Sequence, residues 1–268
     1  MRRIIPLLLL IGMLAVSGWA VFVIEPFSPE LVKKAEAGNA MAQCSLGSCY
    51  LGGKGITQDY KEAVKWFTKS VEQGDAMAQG LLGFCYLEGK GVTQDYKEAV
   101  KWFTKSAEQG FFVAQFFLGV SYFHGEGVTQ DYKEAVKWFT KAAEQEDPMA
   151  QCLLGKCYLE GKGVTQDYKE AVKWFTIAAK KEDKGGQGGL GLCYYFGQGV
   201  TQDYKEAVKW FTKAAEQGNA DAQYTLGICY LEGNGVTQDY KEAVKWFTKA
   251  AEQGNADAKE ELEKLKSK

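Results

Sequence analysis

Hydrophobic and polar positions from Ala40 onward follow two rhythms that take turns. From Ala40 to Leu51, Ala42, Leu46, Cys49 and Tyr50 recur at the spacing of one helix face, and the segment stops at "GGKG". Glycines there permit the positive φ of a helix C-terminus and a tight turn. A second helix is predicted from Asp59, which can cap the backbone while Glu62, three residues on, completes a capping box. Its apolar stripe is Tyr60, Ala63, Val64, Phe67 and Val71, with lysines between, and Gly74 ends it. This pair of helices then recurs. "TQDYKEAVKWFT" begins at Thr57, Thr93, Thr129, Thr165, Thr201 and Thr237, a constant spacing of 36 residues, and a fixed period of this length marks a repeat architecture. One such pair is too small to bury its own stripe, and stacking covers it. The pattern therefore predicts an all-α chain, a right-handed α-solenoid of six 36-residue helix-turn-helix repeats at 38–73, 74–109, 110–145, 146–181, 182–217 and 218–253.

Both ends of the array read as caps. Ser28-Pro29 opens a short helix over 28–37, with serine as N-cap and proline in the first turn. At the other end, residues 254–268, "GNADAKEELEKLKSK", repeat a first-type helix with Lys and Glu at its outer apolar positions. A polar last helix keeps the stack soluble and stops its growth. Residues 1–24 stand apart: "MRR" and then an uncharged run from Ile4 to Ile24. A basic start and an apolar core describe a signal peptide, with Gly18-Trp19-Ala20 as a cleavage site, while the run also has the length of a membrane anchor. Either way the positive N-terminus stays inside, and the rest is expected outside the cytoplasm: periplasm, envelope or secreted. Contact with a membrane is expected only through this segment.

At this point the residues carry a resemblance. "A-x-A-Q-x-x-L-G-x-C-Y-L-E-G-K-G-V-x-Q-D-Y-x-x-A-x-x-W" resembles the Sel1-like repeat, a relative of the tetratricopeptide repeat, over 38–253. The resemblance implies a scaffold or adaptor that binds another protein or peptide, with first helices lining the concave surface.

The six copies differ mainly in their first helix, at the positions of Met41, Cys44, Ser45, Ser48 and Gly52. At about 100° per residue these gather opposite Ala42, Leu46 and Tyr50, so they are expected to face out. The third copy is the extreme case: "FFVAQFFLGVSYFHG" holds five phenylalanines in residues 111–125. Contiguous exposed apolar surface marks interaction sites, with aromatic anchors. The expected partner-binding residues are Leu81, Phe84, Phe116, Phe117, Val120, Leu153, Lys156, Tyr224 and Ile228, with Glu88 and Glu160 at the flank. Phe116 and Val120 are expected to point most directly outward. Phe117 is open between the groove and packing on a neighbouring repeat, and Phe111 and Phe112 are expected to fill a gap between repeats. The tryptophans Trp66, Trp102, Trp138, Trp174, Trp210 and Trp246 share one helix position and are read as structural, packed between successive units.

Composition narrows the chemistry. The chain of 268 residues has a net charge of −2, and Arg2 and Arg3 are its only arginines. It offers no basic footprint for nucleic acid and no arginine fork for phosphate. Cys49, Cys85, Cys157, Cys193 and Cys229 share one repeat position. Stacked helices sit about 8–10 Å apart, too far for disulfides between neighbours, so these read as buried free thiols. Cys44 and Cys152 fall on the outward face and form the one candidate reactive pair. Second helices contain no cysteine, so the disulfide pattern and the β-lactam chemistry attached to a cysteine-rich branch of the resembled family do not carry over. His124 is the sole histidine, and no zinc spacing appears. The expectation is no enzyme, no metal and no cofactor. Self-association as a structural envelope protein is the alternative, and a hydrolase of envelope material or β-lactams a more distant one. Finally, Gly185, Gly186, Gly188 and Gly189 in the fifth copy cost about 0.8–1 kcal/mol each against alanine in a helix, predicting either a hinge or close approach of a partner's backbone.

Overall fold

A computed structural model describes residues 24–266. The signal or anchor segment therefore lies outside the described residues, save Ile24. Among the described residues no helix is long and apolar enough to cross a membrane, and regular structure consists of fourteen α-helices without strands. They fall into two compact units, one ending at Asp147 and the other beginning at Pro148.

The first unit holds α1 (Pro29–Glu36), α2 (Ala40–Gly52), α3 (Tyr60–Glu72), α4 (Ala76–Glu88), α5 (Tyr96–Glu108), α6 (Phe112–His124) and α7 (Tyr132–Glu144). Helix starts follow the predicted caps. Ser28 Oγ accepts from the Leu31 N–H at 3.1 Å, and Asp59 Oδ1 accepts from the N–H groups of Lys61 and Glu62 at 2.9 and 3.1 Å. Glu62 turns to Lys65, 3.0 Å away. First-type helices end on glycines in the left-handed region, such as Gly53 at φ 65°.

Each hairpin closes around a glycine. At Gly47, Gly83 and Gly119 an added Cβ would come within 2.7, 2.8 and 2.6 Å of the rings of Phe67, Phe103 and Phe139. The phenylalanine of the second helix thus lies directly on the backbone of the first. Between repeats the tie is polar. Buried Gln43 donates to the Ala35 carbonyl of α1 at 3.1 Å and accepts from Gln73 at 2.8 Å. Gln115 does the same with Ala107 and Gln145. A buried amide with its partners supplied is stabilising; one partner lost would leave it costly. Gly91 and Gly127 pack so tightly on the carbonyls of Tyr60 and Tyr96 in the preceding repeat that no side chain fits there.

The second unit holds α8 (Pro148–Glu160), α9 (Tyr168–Lys180), α10 (Lys184–Phe196), α11 (Tyr204–Glu216), α12 (Ala220–Glu232), α13 (Tyr240–Glu252) and the terminal α14 (Ala256–Lys266). Its hairpins use the same contacts, with Gly191 against Phe211 and Gly227 against Phe247, and Gln223 bridging Ala215 and Gln253. Within each unit the hairpins stack in chain order, the packing of an α-solenoid. The glycines of α10 have neighbours of their own. A Cβ on Gly185 would meet Cys152 Sγ at 2.8 Å, one on Gly186 the Ala178 Cβ at 2.5 Å, and one on Gly189 the Phe175 ring at 2.6 Å. α10 consequently packs directly on α8 as well as on α9. These glycines are points of close approach within the chain, and a hinge here would have to part those contacts. Gly188 differs, with nothing nearer than Asn219 at 3.6 Å.

Candidate functional site

The variable positions of the first helices do not form one open face. In the first unit the long side chains turn inward. Phe84 is 1% exposed, Phe116 and Phe117 are each 4% exposed, and Leu81 is buried with them. Phe117 stacks on Phe103 at 5.2 Å and meets Phe84 at 6.0 Å, both in the preceding repeat. Phe116 sits 5.4 Å from Phe117 and 6.3 Å from Phe139. The Lys90 ammonium lies over the Phe84 ring at 4.9 Å. The outward direction expected for Phe116 is therefore corrected, as is an open groove over Leu81, Phe84 and Phe117. A helix-wheel argument fixes where a Cβ points, whereas a ring is long enough to fold back onto the next helix. Phe111 and Phe112 are buried too, and the Phe111 ring fills the place beside Gly80, where a Cβ would be 2.8 Å from it. Phe111 thereby gives up the capping hydrogen bond that Asp75 makes at the equivalent position. Of the first unit's candidates, Val120 stays half-buried.

The second unit is more open. Leu153 is half-buried and Lys156 exposed, the latter 3.8 Å from Glu160. Tyr224 and Ile228 are half-buried against a core cluster of α13 and α14, on which Leu262 and Leu265 of α14 also pack. One turn beyond these positions, at the C-terminal rim of the first helices, stands Phe196, 61% exposed. Its column reads Gly52, Glu88, His124, Glu160, Phe196 and Glu232. Tyr195 meets Phe196 edge-on at 5.0 Å and Tyr204 at 5.0 Å, and its hydroxyl accepts from Asn234 Nδ2 at 3.2 Å. Along one side of α8, α10 and α12 the pairs Lys156–Glu160, Leu192–Phe196 and Ile228–Glu232 thus leave a half-open strip of mixed character. Phe196 was missed in the sequence, although a phenylalanine in a column that carries glutamate in three of the other five repeats is a signal that could have found it.

The cysteines are all free. Burial pushes the Cys85, Cys157 and Cys229 thiols up to about 12 and Cys193 up to about 11. Cys44 is buried and Cys152 half-buried, which corrects their outward placement. Burial, and then the carboxylates of Asp75 and Asp183 that accept their thiol protons, hold both well above the ordinary thiol value. A thiol held protonated is a poor nucleophile, so this pair is not a reactive one. Instead each ties a repeat to the N-cap of the next first helix. The tryptophans sit where repeats join: Trp66 and Trp246 are in clusters with the preceding α1 and α11. Lys69, Lys105, Lys141, Lys213 and Lys249 lie 4.0–4.6 Å over Trp66, Trp102, Trp138, Trp210 and Trp246. His124 is exposed in the last turn of α6. Among the described residues no group of His, Cys, Asp and Glu could hold a metal ion.

The Sel1 repeat model matches residues 40–75, 76–111, 113–147, 148–183, 186–219 and 220–255. The chain belongs to the Sel1 repeat family. Its fold is accordingly the all-α solenoid of that family. Among solved structures it is similar to a Sel1 repeat protein from Oxalobacter formigenes, at 36% identity over 82% of this chain and 86% of that one, TM-score 0.75. It is also similar to c5321, a protective antigen of uropathogenic Escherichia coli strains with the same fold, at 41% identity over 88% of this chain, TM-score 0.74. The present chain spans 50% of that antigen's length. The Cut9–Hcn1 hetero-tetramer of the APC/C, 16% identical over 88% of this chain and 45% of that one with TM-score 0.61, shares the fold alone. Comparison with curated proteins finds no match. Sel1 and tetratricopeptide-like repeats typically mediate protein–protein interaction, and Sel1 proteins are generally non-catalytic scaffolds.

Proposed function

We propose that this Sel1 repeat protein is a non-catalytic scaffold outside the cytoplasm that holds a partner protein or peptide on the first-helix side of its second unit, centred on Phe196. One observation carries the reading: Phe196 is 61% exposed at a position where repeats two, four and six carry glutamate. The ring meets Tyr195 edge-on and leaves most of its surface open, and aromatic side chains are favoured anchors of interfaces. Lys156, Leu192 and Ile228 on the same strip add half-open apolar and charged surface. The location rests on "MRR" followed by the uncharged run to Ile24. The similarity to a protective antigen present in uropathogenic Escherichia coli strains supports a chain that meets the outside.

Photo-crosslinking in the native cell tests this, with a benzophenone side chain placed at position 196, and at 116 and 65 as buried and second-helix controls. The expected result is a distinct partner captured from 196 alone. Capture of a second copy of this chain would replace the reading by self-assembly, and equal capture from all three positions would remove the site.

A further inference from the structure

In three of the six repeats the rim beside the first helix carries a lysine in the "GKG" turn: Lys54, Lys90 and Lys162. Two of these show what that cation does. Lys90 places its ammonium over the rings of Phe84, at 4.9 Å, and Tyr60, at 5.8 Å. Lys162 meets the Glu160 carboxylate at 2.7 Å. The rim therefore serves a cation in two ways, by an aromatic face and by a carboxylate.

Repeats three, five and six lack this lysine, the third carrying Glu126. Gln198 and Asn234 stand where the lysines would be, while Phe196 and Glu232 supply an aromatic face and a carboxylate. The two are joined through their neighbours. Asn234 Nδ2 donates to Glu232 Oε2 at 2.7 Å and to the Tyr195 hydroxyl at 3.2 Å, and the Tyr195 ring touches Phe196. An amide carries no charge, so it orients the carboxylate without neutralising it. The Tyr195 phenol is pushed up first by burial, with the Glu232 charge adding to it.

We infer that this rim takes a lysine or arginine side chain of the partner, its stem on Phe196 and its charge on Glu232, in the place that Gln198 and Asn234 leave without a cation. The inference rests on the reading that the Phe196 face binds a partner, and gives that partner a basic character. Cations over aromatic faces are attracted by the ring quadrupole, and a stem that lies on apolar surface adds to this. Repeats two and four supply the contrast, since there the protein's own Lys90 and Lys162 do this.

The test is to pan a display library of random dodecapeptides against the full chain, then measure selected peptides on two variants. Phe196→Glu and the pair Gln198→Lys with Asn234→Lys only install residues that other repeats already carry, so both are expected to fold. The expected result is enrichment of Lys and Arg, affinity lowered at least about tenfold by either variant, and binding that weakens with added salt. Peptides that lose affinity with Phe196→Glu yet are not basic, or that bind the double-lysine variant unchanged, overturn the inference and leave the binding face standing. Peptides indifferent to Phe196→Glu, or no binders at all, overturn both.

Discussion

Residues 116 and 117 of α6 and residues 188 and 189 of α10 occupy equivalent positions two repeats apart, yet the first pair is Phe-Phe and the second Gly-Gly. Two turns further along the order reverses, with His124 on α6 and Phe196 on α10. In the first unit the rings are spent on packing: Phe116 and Phe117 reach Phe139, Phe103 and Phe84 and are closed off. In the second the glycines let α10 settle against α8 and Phe175, and the aromatic residue is moved to the rim. Aromatic density in a sequence is thus a poor guide to surface. The position along the helix decides whether a ring has a neighbouring helix to fold onto.

The comparison can be broken most forcefully at the phenylalanines. Phe116→Ala should destabilise the chain by about 3–5 kcal/mol, as for buried rings elsewhere, and Phe196→Ala should change stability by less than about 0.5 kcal/mol. Denaturant unfolding of the two variants measures both. Similar losses would erase the distinction. The glycines of α10 sharpen it with opposite signs. Gly189→Ala presses a methyl into the Phe175 ring and should cost about 1–3 kcal/mol, whereas Gly188→Ala, whose methyl would make only ordinary contact with Asn219 at 3.6 Å, should gain up to about 1 kcal/mol.

The thiols give a test by pH. With Cys85, Cys157 and Cys229 raised from an ordinary 9.0 to about 12 by burial, the folded chain keeps protons that the unfolded chain releases. Their contribution to stability is therefore fully present below pH 9 and is lost as pH rises from there towards about 12. A falling unfolding midpoint above pH 9, flattened in the Cys-to-Ser variants, is the expected outcome. Iodoacetamide at pH 8 should label all seven thiols slowly until the chain unfolds. A small effect is expected at Glu182, which holds φ 62° where Gly218 and Gly254 stand in other repeats. A left-handed non-glycine residue costs about 1–2 kcal/mol, offset in part by the greater chain entropy of glycine. Glu182→Gly should thus raise stability by up to about 1 kcal/mol, visible as a higher midpoint.

Much of the fold was legible because it was written six times. The period, the Asp59-type caps and the glycine stops translate directly into helix ends, since each depends on a local backbone requirement. The buried thiols followed from spacing alone. The site was far less legible. A helical wheel shows that Phe116 leaves its helix on the variable side, but not that Phe117 and Phe139 wait to cover it. Nor does it show that Cys44 and Cys152 meet the capping Asp75 and Asp183 of the next first helices. These are contacts about one repeat away, and variation between copies reflects them as much as it reflects binding. Gly80 with Phe111 is such a pair: small beside large.

The most direct test of the account compares rings 116 and 196 in one experiment, by fluorine NMR of the full chain carrying 4-fluorophenylalanine at each position in turn, with a soluble paramagnetic chelate added. Strong broadening at 196 and little at 116 is the expected result. Equal broadening at both, or broadening at 116 with 196 shielded, would contradict it.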